Sequence, residues 1–302
     1  MKRRQFLKTA LAAGVFLAAP VPGGGWFLRR LEAAVQPDLA VVHGPSPATL
    51  ARTAIEALGG IGRFVSRNDV VVVKPNIGWD RAPEYAANTN PEVVAAVVAA
   101  CLDAGAKKVK VFDHPVNDAR RTYRQSGIAA AAAAAGAEVS FTDDRKFKEM
   151  TIGGQTLKNW SLYTEAIEAD KFINLPIAKV HGTSSLTLGM KNLMGIMGGW
   201  RWRLHQRIDE SLVDMTTFVK PTLVVLDAVR ILTGNGPQGG RLDDVKKLDI
   251  VIAGTDSVSV DAYGATLFGM KPTELGFVRL GHERGLGQMH LGKLQIRNIE
   301  SG

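Results

Sequence analysis

Cysteine is almost absent from this sequence of 302 residues, which contains only Cys101. A single cysteine cannot form a disulfide within the chain, nor can it supply the ligands of a cysteine-bound iron–sulfur cluster or a thiol redox pair. Cys101 lies in the apolar helical pattern PEVVAAVVAACLDAGA, where a free thiol packs as a small hydrophobic side chain. We therefore expect no cysteine-ligated iron–sulfur cluster within this chain, and the sequence leaves any other cofactor unidentified.

Short motifs of metal and nucleotide sites give little guidance. No single-metal spacing such as HExxH occurs, so the sequence names no metal. The glycine-rich segment TGNGPQGG, residues 233–240, lets backbone N–H groups approach an anion closely. We interpret it as a ligand-covering loop or a plain connector, and as neither a Walker motif nor a dinucleotide-binding motif.

The N-terminus reads as a targeting segment. It begins MKRRQFLKTALAAGVFLAAP, in which Arg3 and Arg4 precede a short apolar run, as in twin-arginine export signals. The run is shorter than the about 20 residues of a transmembrane helix. We expect residues 1–36 to be a signal for the twin-arginine export machinery or a retained membrane anchor. Residues 37–302 would then be a periplasmic or other extracytoplasmic domain, with a membrane or redox partner as a further expectation.

Most of the basic charge belongs to that targeting segment. The whole chain carries a formal charge of +8, and residues 1–36 contain six lysines and arginines but one acid, Glu32, so the remainder carries +3. No stripe of lysine and arginine interleaved with aromatic residues remains after residue 36. The composition therefore gives no reason to expect a nucleic-acid partner.

Apolar runs that alternate with helical patterns predict the fold. Several runs are continuously apolar, as expected for parallel strands covered on both faces. The strand candidates are DLAVVHG, DVVVVKPN, KKVKVFDHP, AEVSFTDD, KFINLPIAKV, TLVVLDAVR and LDIVIAG. The helix candidates are PATLARTAIEAL, PEVVAAVVAACLDAG, ARRTYRQSGIAAAAAAAG, DESLVDMTTFV and DSVSVDAYGATLFG. We predict an α/β fold with a mainly parallel sheet flanked by helices, as one domain or two lobes. FKEMTIGGQTLKNWSLY predicts an inserted β-hairpin that turns at Gly153 and Gly154.

Polar side chains end five of the predicted strands. Ligands of open α/β sheets bind beyond the carboxyl ends of the strands, so these residues predict one polar crevice. They are Lys74 and Asn76, Asp113 and His114, Lys179 and His181, Asp227, and Asp256. Each of them taken singly also fits a turn or a helix cap, and Asp256 is well placed to cap the helix that follows it.

The residue types in this crevice suit anion binding and proton transfer. Lysines supply ammonium groups for a carboxylate or phosphate, or an amine for an imine where burial lowers the pKa. Neutral imidazoles can act as acids or bases or bind a metal. We predict His181, Lys179 and His114 as catalytic residues. The predicted ligand-binding residues are Lys74, Asn76, Asp113, Lys191, Asn192, His205, Asp227, Gly236 and Gly239.

Residues 179–195, KVHGTSSLTLGMKNLMG, predict a strand end that leads directly into a helix. Thr183 or Ser184 would cap this helix, and its first backbone N–H groups would face the crevice and favour an anion. A helix that begins near Ser184 places Lys191 and Asn192 about two turns in.

Arginine and tryptophan are concentrated in GGWRWRLHQRIDES, residues 198–211. This segment is interpreted as an amphipathic edge or a lobe interface, or as a flap whose Arg201, Arg203 or His205 closes over an anionic ligand. In the second interpretation Trp200 or Trp202 would stack on a flat ligand.

The order of these motifs resembles the family called domain of unknown function 362. The resemblance covers roughly residues 38–270 and rests on VVVKPNIG, NTNPEVV, KVFDHP, INLPIAKVHGTSSLTLGMKNLMGIMG, LVVLDAVRILTGNGPQGG and VIAGTDSVSVDAYGATLFG. Some relatives carry additional ferredoxin modules rich in cysteine, which this chain lacks. The family is also distantly similar to the nickel-pincer lactate racemase group, and that similarity implies a cofactor held by lysine and histidine.

Three functions are compatible with these features. The protein could be an enzyme that clamps a small carboxylate or phosphate with lysines and moves a proton with histidine. It could instead be a binder of an anionic ligand or metal cofactor without catalysis. As an accessory or assembly subunit, it would dock in a membrane-associated redox complex through its tryptophan–arginine segment.

Overall fold

The predicted strands lie in one mixed sheet in the structure, a computed structural model that describes residues 36–302. The proposed signal or anchor, residues 1–36, lies outside this range except for its last residue. The strands are β1 (Leu39–His43), β2 (Val70–Pro75), β3 (Lys108–Val111), β4 (Glu138–Val139), β5 (Phe147–Thr151), β6 (Asn159–Tyr163), β7 (Lys171–Leu175), β8 (Ile177–His181), β9 (Ser185–Thr187), β10 (Leu223–Leu232), β11 (Val245–Gly254) and β12 (Ile296–Glu300).

The strands of the main sheet run almost entirely in one direction. Their order is β12, β1, β11, β10, β7, β2, β3, β4, and only the pairs that β11 makes with β1 and β10 are antiparallel. β8 continues beside β10 in parallel and carries β9 as an antiparallel neighbour. The prediction of an α/β fold with a mainly parallel sheet is confirmed. Since parallel strands end on the same side, their terminal side chains are brought to one edge of the sheet.

Helices cover both faces of this sheet. They are α1 (Pro47–Ala57), α2 (Pro91–Asp103), α3 (Ala119–Gln125), α4 (Ile128–Ala134), α5 (Thr164–Ile167), α6 (Gly189–Asn192), α7 (Ile208–Val219), α8 (Ser257–Thr266) and α9 (Gly276–Glu283). One buried cluster joins β2 residues Val71 and Val73 to α1, α2 and α4, whereas Val72 belongs to the cluster of α6 to α9. Because successive strand residues point to opposite faces, the continuously apolar β2 serves two cores.

Side-chain caps fix the starts of four helices. The oxygens of Ser46, Asn90, Asp118 and Asp256 accept hydrogen bonds from backbone N–H groups in the first turns of α1, α2, α3 and α8. Proline follows Ser46 and Asn90 at the first helical position, where its missing N–H group costs nothing. The prediction that Asp256 caps a helix is met by this geometry.

The alanine-rich segment predicted as one helical pattern forms two helices. α3 ends at Gln125 and α4 begins at Ile128, because Gly127 lies between them with a φ of 72°. A residue with a side chain rarely adopts this left-handed conformation, so the glycine allows the chain to change direction. The alanines of α4 then favour the second helix by their high propensity.

The segment after β7 departs most from the sequence prediction. The apolar run FINLPIAKV divides at Pro176 into β7 and β8, since proline has no N–H group for the ladder. The chain then turns back as β9, and α6 begins only at Gly189. The predicted helix starting near Ser184 is therefore wrong. The first N–H groups of α6, on Gly189 and Met190, donate to the buried carboxylate of Asp261, so they are not free to bind an anion.

β5 and β6 form the inserted hairpin, paired from Phe147 with Tyr163 to Thr151 with Asn159. Its tight turn lies at 154–157, where the Gly154 N–H group donates to the Leu157 carbonyl, rather than at Gly153 and Gly154 as predicted. The Asp214 carboxylate in α7 accepts hydrogen bonds from three backbone N–H groups of this turn, at 155–157, and fixes the hairpin against the domain.

Cys101 is fully buried in α2 and unpaired, as its apolar surroundings predict, and burial raises the pKa of its thiol to about 12. Within residues 36–302 no helix is both long and apolar enough to span a membrane. Residues 37–302 form one unit.

Candidate functional site

A cavity of about 550 Å³ lies where the carboxyl ends of β2, β3 and β8 meet. α6, the 3₁₀ helix Arg201–Arg207 and the loop after β10 complete its wall. Its charged and imidazole-bearing lining residues are Lys74, Asp113, His114, Lys179, His181, Lys191, Arg201 and His205. The structure thus brings residues that are far apart in the sequence into one site.

Lys74 and Asp113 form an ion pair at the base of the cavity. The Lys74 Nζ lies 2.9 Å from the Asp113 Oδ1, and also donates to the Pro75 carbonyl at 2.8 Å and to the Asn192 Oδ1 at 2.9 Å. The other Asp113 oxygen accepts the Ile77 N–H group. Burial lowers the pKa of Lys74 more strongly than its neighbour Asp113 raises it. All three donor positions of this ammonium are therefore occupied by protein atoms.

Lys179 is fully buried as well, but it has no carboxylate partner among the described residues. Its Nζ donates to the Asn76 Oδ1 at 3.0 Å and to the Ala87 carbonyl. Burial and the nearby Lys191 and Lys74 lower its pKa well below that of a free lysine, against an opposing effect of Asp113. Two neutral oxygens therefore fix the position of this amine.

Lys191 differs from both of these lysines. It is only 8% exposed, lines the cavity, and has no hydrogen-bond or ion-pair partner among the residues that the structure describes. Burial, followed by the neighbouring cations Arg201 and Lys74, lowers its pKa to about 7. The site thus contains a buried amine that is free to contact a ligand and changes its charge near neutral pH.

Asn76 and Asn192 connect the lysines to each other. The Asn192 Oδ1 accepts from the Lys74 Nζ and, at 3.0 Å, from the Asn76 Nδ2, and its own Nδ2 donates to Asn174 at 2.8 Å. These amide groups are satisfied by protein partners, so they hold the lysine side chains in place. The predicted ligand residue Asn192 is therefore a positioning group that also borders the cavity.

Arg201 contributes a fourth cation to the wall. Its guanidinium donates to the carbonyls of His114 at 2.8 Å and Pro115 at 2.9 Å, and more weakly to that of Met194 at 3.4 Å. Burial lowers its pKa, with Asp113 acting in the opposite direction. The backbone thereby orients Arg201 toward the cavity without neutralising its charge.

The hydrogen bonds of His181 decide what its ring can do. Its Nδ1 lies 3.1 Å from both the backbone N and the Oγ1 of Thr183, and the backbone N–H group can only donate to it. Burial, Lys191, His205 and Lys179 lower the pKa of His181 to about 3, so the ring is neutral at pH 7. The proton therefore resides on Nε2, which makes His181 a hydrogen-bond donor rather than a general base in this arrangement.

His114 has the opposite tautomer. Its Nδ1 lies 2.9 Å from the Met197 carbonyl, which can only accept, so this nitrogen carries the proton of the neutral ring. Burial is the largest effect on the pKa of His114, and it lowers the value, as does Arg201. The remaining nitrogen, Nε2, therefore has a free lone pair on a residue that lines the cavity, and His114 is the better candidate for a general base.

Aromatic rings form the outer rim of the site. His205 stacks on His181 with ring centroids 5.7 Å apart and on Trp202 at 5.2 Å. Trp79 also lines the cavity, while Trp200 is 68% exposed and does not. A planar ligand group could stack against this rim, as predicted for the tryptophan–arginine segment.

Only part of the glycine-rich loop 233–240 lines the cavity. Gly236 and the following Pro237 line the cavity, and a Cβ on Gly236 would lie 2.1 Å from the Val180 carbonyl oxygen. Gly239 instead packs on Leu232 and does not line the cavity. The spacing of Gly234, Gly236 and Gly239 does match that of dinucleotide loops, but the loop leads to the antiparallel strand β11 and not into a helix, so the phosphate-binding geometry is missing.

Asp227 and Asp256 lie outside the cavity, contrary to the prediction of a single crevice that includes them. The Asp227 carboxylate accepts the N–H groups of Asn90 at 2.7 Å and Val229 at 3.0 Å, and so fixes the start of α2 to β10. Asp227 occurs in the middle of a ten-residue strand rather than at its end, which is why it does not reach the edge of the sheet.

Two further residues of the cavity have no obvious sequence signature. Gly195 lies so close to the ion pair that a Cβ would be 1.8 Å from the Asp113 Oδ1. The hydroxyl of Thr187 on β9 is buried, lines the cavity and has no partner within residues 36–302. Thr187 reaches the cavity because β8 and β9 form a hairpin, whereas the sequence predicted a helix at this position.

A metal site is not apparent in the described part of the chain, since no group of three or more histidine, cysteine, aspartate or glutamate residues there could hold an ion. Bare divalent cations would also meet four cationic side chains in this cavity.

Known proteins resemble this chain in sequence and in fold. The family described as Domain of unknown function (DUF362) matches residues 71–266, which is more than half of the chain. A thylakoid-associated protein of Synechocystis is 30% identical over 244 residues, 78% of this chain and 74% of that protein. The chain therefore belongs to the DUF362 family.

Solved structures support the fold alone. The lactate racemase apoprotein from Thermoanaerobacterium thermosaccharolyticum superposes with a TM-score of 0.50 and 10% identity. The match covers 84% of this chain, which spans 62% of the length of that racemase. A protein from Thermotoga maritima has a TM-score of 0.40 at 10% identity, covering 80% of this chain and 60% of that one.

Proposed function

We propose that this member of the DUF362 family binds a small organic anion in the cavity and moves a proton on it with His114. The observation that carries this proposal is Lys191, a buried amine that faces the cavity and has no partner among the described residues. An unpaired buried cation is costly for a folded protein, and a bound anion would offset that cost.

The cationic side chains that line the cavity favour a ligand with more than one negative charge. Among the described residues Lys74, Lys179, Lys191 and Arg201 line the cavity, and its one carboxylate, Asp113, is already paired with Lys74. The charge of Arg201, and that of Lys191 when it is protonated, are thus left without a carboxylate partner there. A cavity of about 550 Å³ is within the range of small-molecule sites, so dicarboxylates, oxo acids and phosphate esters fit its size and charge.

The other residues have distinct roles in this proposal. His181 donates its Nε2 proton to a ligand oxygen, and the Thr187 hydroxyl offers a further hydrogen bond. His114 accepts a proton from the ligand at Nε2, because its Nδ1 is committed to the Met197 carbonyl. Proton transfer within a cationic cavity favours reactions that build negative charge on the substrate.

Binding can be tested by thermal stability in the presence of malonate, succinate, oxaloacetate, phosphate and pyrophosphate, with glycerol as a neutral control. A ligand at 100 times its dissociation constant stabilises the folded state by about 2.7 kcal/mol. We expect one or more of the anions to raise the melting temperature of the wild type but not of Lys191→Met. Lys293→Met, which removes an exposed lysine that does not line the cavity, is the matched control. Equal responses of the wild type and Lys191→Met would contradict the proposal.

A metal-containing cofactor, which the distant lactate racemase resemblance implies, fits the cavity only as an anionic organic group. The unpartnered Lys191 and the imidazoles of His114 and His181 would hold such a group, which would supply a Lewis-acidic metal to the site. Elemental analysis and native mass spectrometry of protein purified from its own host would detect it.

A second candidate function is an accessory subunit at a membrane, since Trp200 and Trp202 are 68% and 58% exposed and a relative is thylakoid-associated. The twin-arginine pattern of residues 1–36 would deliver the folded domain across the membrane. Trp200→Ser, at an exposed position outside the cavity lining, would then weaken co-fractionation with membranes and leave the anion response intact. Unchanged co-fractionation of the Trp200→Ser variant would remove this candidate.

A further inference from the structure

Three lysine amines reach the same cavity, but their surroundings differ. The Lys74 Nζ has three protein partners, including the Asp113 carboxylate, and the Lys179 Nζ has two neutral oxygen partners. The Lys191 Nζ has none within residues 36–302, although its side chain is almost fully buried. Three donor contacts require Lys74 to be an ammonium without a lone pair, and two donated hydrogen bonds fix the direction of the Lys179 amine. Lys191 has no protein partner among the described residues and can therefore turn its lone pair toward a ligand.

The position of Lys191 also favours the neutral amine. The charges of Arg201 and Lys74 act against its ammonium form, and within residues 36–302 no carboxylate pairs with it. Burial and these cations together bring its pKa to about 7, so a large fraction is unprotonated at neutral pH, whereas an exposed lysine is almost wholly protonated there. A desolvated lysine beside other cations is the usual setting of an amine nucleophile.

We propose that Lys191 forms a Schiff base with a small oxo acid, an aldehyde or ketone that also carries a carboxylate or phosphate group. The inference rests on the proposed anion-binding function and names the substrate class of that site. The guanidinium of Arg201 would hold the acidic group and thereby place the carbonyl carbon against the free amine.

The step is balanced without an oxidant or reductant. The neutral Nζ of Lys191 donates its electron pair to the carbonyl carbon, the C=O π bond opens, and a carbinolamine forms. The carbinolamine then loses its hydroxyl group and a nitrogen-bound proton as one water molecule, leaving a C=N bond. Protonation of that imine makes the adjacent C–H group more acidic, and the Nε2 of His114 is the base available on the same wall.

Reductive trapping tests this proposal on the full-length folded protein. The protein is incubated with glyoxylate or pyruvate and sodium cyanoborohydride, and the adduct is located by intact mass and peptide mapping. We expect a single adduct at Lys191, formed at least about tenfold faster than that on exposed Lys293, and slowed by excess succinate. Lys191→Met should lose the fast adduct, and Lys293→Met should retain it. Circular dichroism and melting temperature show whether each variant is folded.

The pH profile supplies an independent readout. The charged and titratable side chains that share the cavity with Lys191 are Lys74, Asp113, His114, Lys179, His181, Arg201 and His205. Trapping at Lys191 should rise between pH 6 and 8 with its midpoint near the pKa of about 7 and then level off, whereas trapping at an exposed lysine continues to rise up to about pH 10.

The outcomes separate the two proposals. Labelling that starts at Lys74 or Lys179, or that follows exposure alone, would show that Lys191 is not the nucleophile. Oxo acids that raise the melting temperature without any adduct at Lys191 would overturn the Schiff base and leave anion binding intact. If neither oxo acids nor other anions stabilise the wild type more than Lys191→Met, both proposals fail.

Discussion

The Lys74 Nζ lies 2.9 Å from the Asp113 Oδ1 in a pair whose side chains are 0% and 3% exposed. Lys74 lies near the carboxyl end of β2, and Asp113 lies just after the carboxyl end of β3. Because β2 and β3 are parallel neighbours, their carboxyl ends bring the two side chains to the same edge of the sheet. The pair therefore belongs both to the fold and to the floor of the cavity.

Breaking this pair should be strongly destabilising. Asp113→Asn leaves the Lys74 ammonium buried without its counter-charge, a change that typically costs about 3–5 kcal/mol. Urea denaturation measures the change in free energy of unfolding. Glu283→Gln is the control, because it breaks the half-exposed pair with Arg279 in α9 and should cost no more than about 0.5 kcal/mol. Similar losses in both variants would show that the buried pair contributes little.

Removing the charge of Lys191 should stabilise the ligand-free protein. Lys191→Met replaces a buried, unpartnered amine with an apolar side chain of similar length, so we expect a more stable protein that no longer responds to anions. Each pKa unit corresponds to about 1.4 kcal/mol, so the gain at pH 6 should be on the order of a few kcal/mol.

The pH dependence of that gain has a definite sign. The pKa of Lys191 is about 7 in the folded state, below its ordinary value of 10.5, so the unfolded chain binds more protons between these values. Wild-type stability should therefore rise from pH 7 to about 10.5, and the advantage of Lys191→Met should shrink over the same range. Melting curves of both proteins at pH 6, 8 and 9.5 test this, and a constant difference would contradict it.

Gly195 should not tolerate a side chain. An added Cβ would lie 1.8 Å from the Asp113 Oδ1 and 2.5 Å from the Lys74 Nζ, so Gly195→Ala must displace the ion pair. Overpacking of this kind costs about 1–3 kcal/mol, and the disturbed lysine should also weaken the anion response. Gly292→Ala is the matched control, since nothing lies within 4 Å of its added Cβ. Equal urea midpoints for the two variants would refute this account.

The sequence predicted the framework well because hydrophobic pattern determines it. The continuously apolar runs around Val72 and Ile252 indicated strands buried on both faces, and the rule for strand ends placed Lys74, His114 and His181 together. These predictions depend on local composition and on sheet direction alone, so a single sequence is sufficient for them.

The errors arose where a long-range contact decides the local structure. The residues after His181 favour a helix cap in isolation, yet pairing of Lys179 with Thr187 makes them a hairpin. The start of α6 is then fixed by Asp261, which lies 72 residues beyond Gly189. Likewise, the tautomers of the histidines depend on the Met197 carbonyl and the Thr183 amide, and no sequence spacing contains that information.

The opposite tautomers of His114 and His181 can be observed directly. Nitrogen-15 NMR of the imidazoles should show a protonated Nδ1 in His114 and a protonated Nε2 in His181. His181 should also remain neutral at pH 5, because burial and Lys191 lower its pKa to about 3. Thr183→Val removes the hydroxyl contact but keeps the amide and should preserve the tautomer. A His181 that gains a proton between pH 6 and 7 would remove its proposed role as a neutral donor.

Asp227 offers a test that distinguishes the fold from the site. Its buried carboxylate joins the start of α2 to β10 outside the cavity, so Asp227→Asn should leave anion binding unchanged and alter stability.

Burial raises the pKa of Asp227 to about 6, against 3.8 in its ordinary state. The folded state then binds more protons between these values, so wild-type stability should fall as pH rises from about 4 to 6, by on the order of 3 kcal/mol from this group. Asp227→Asn should lose that contribution to the slope. If the variant kept the full pH dependence but lost its response to anions, Asp227 would act on the ligand, as the strand-end rule predicted.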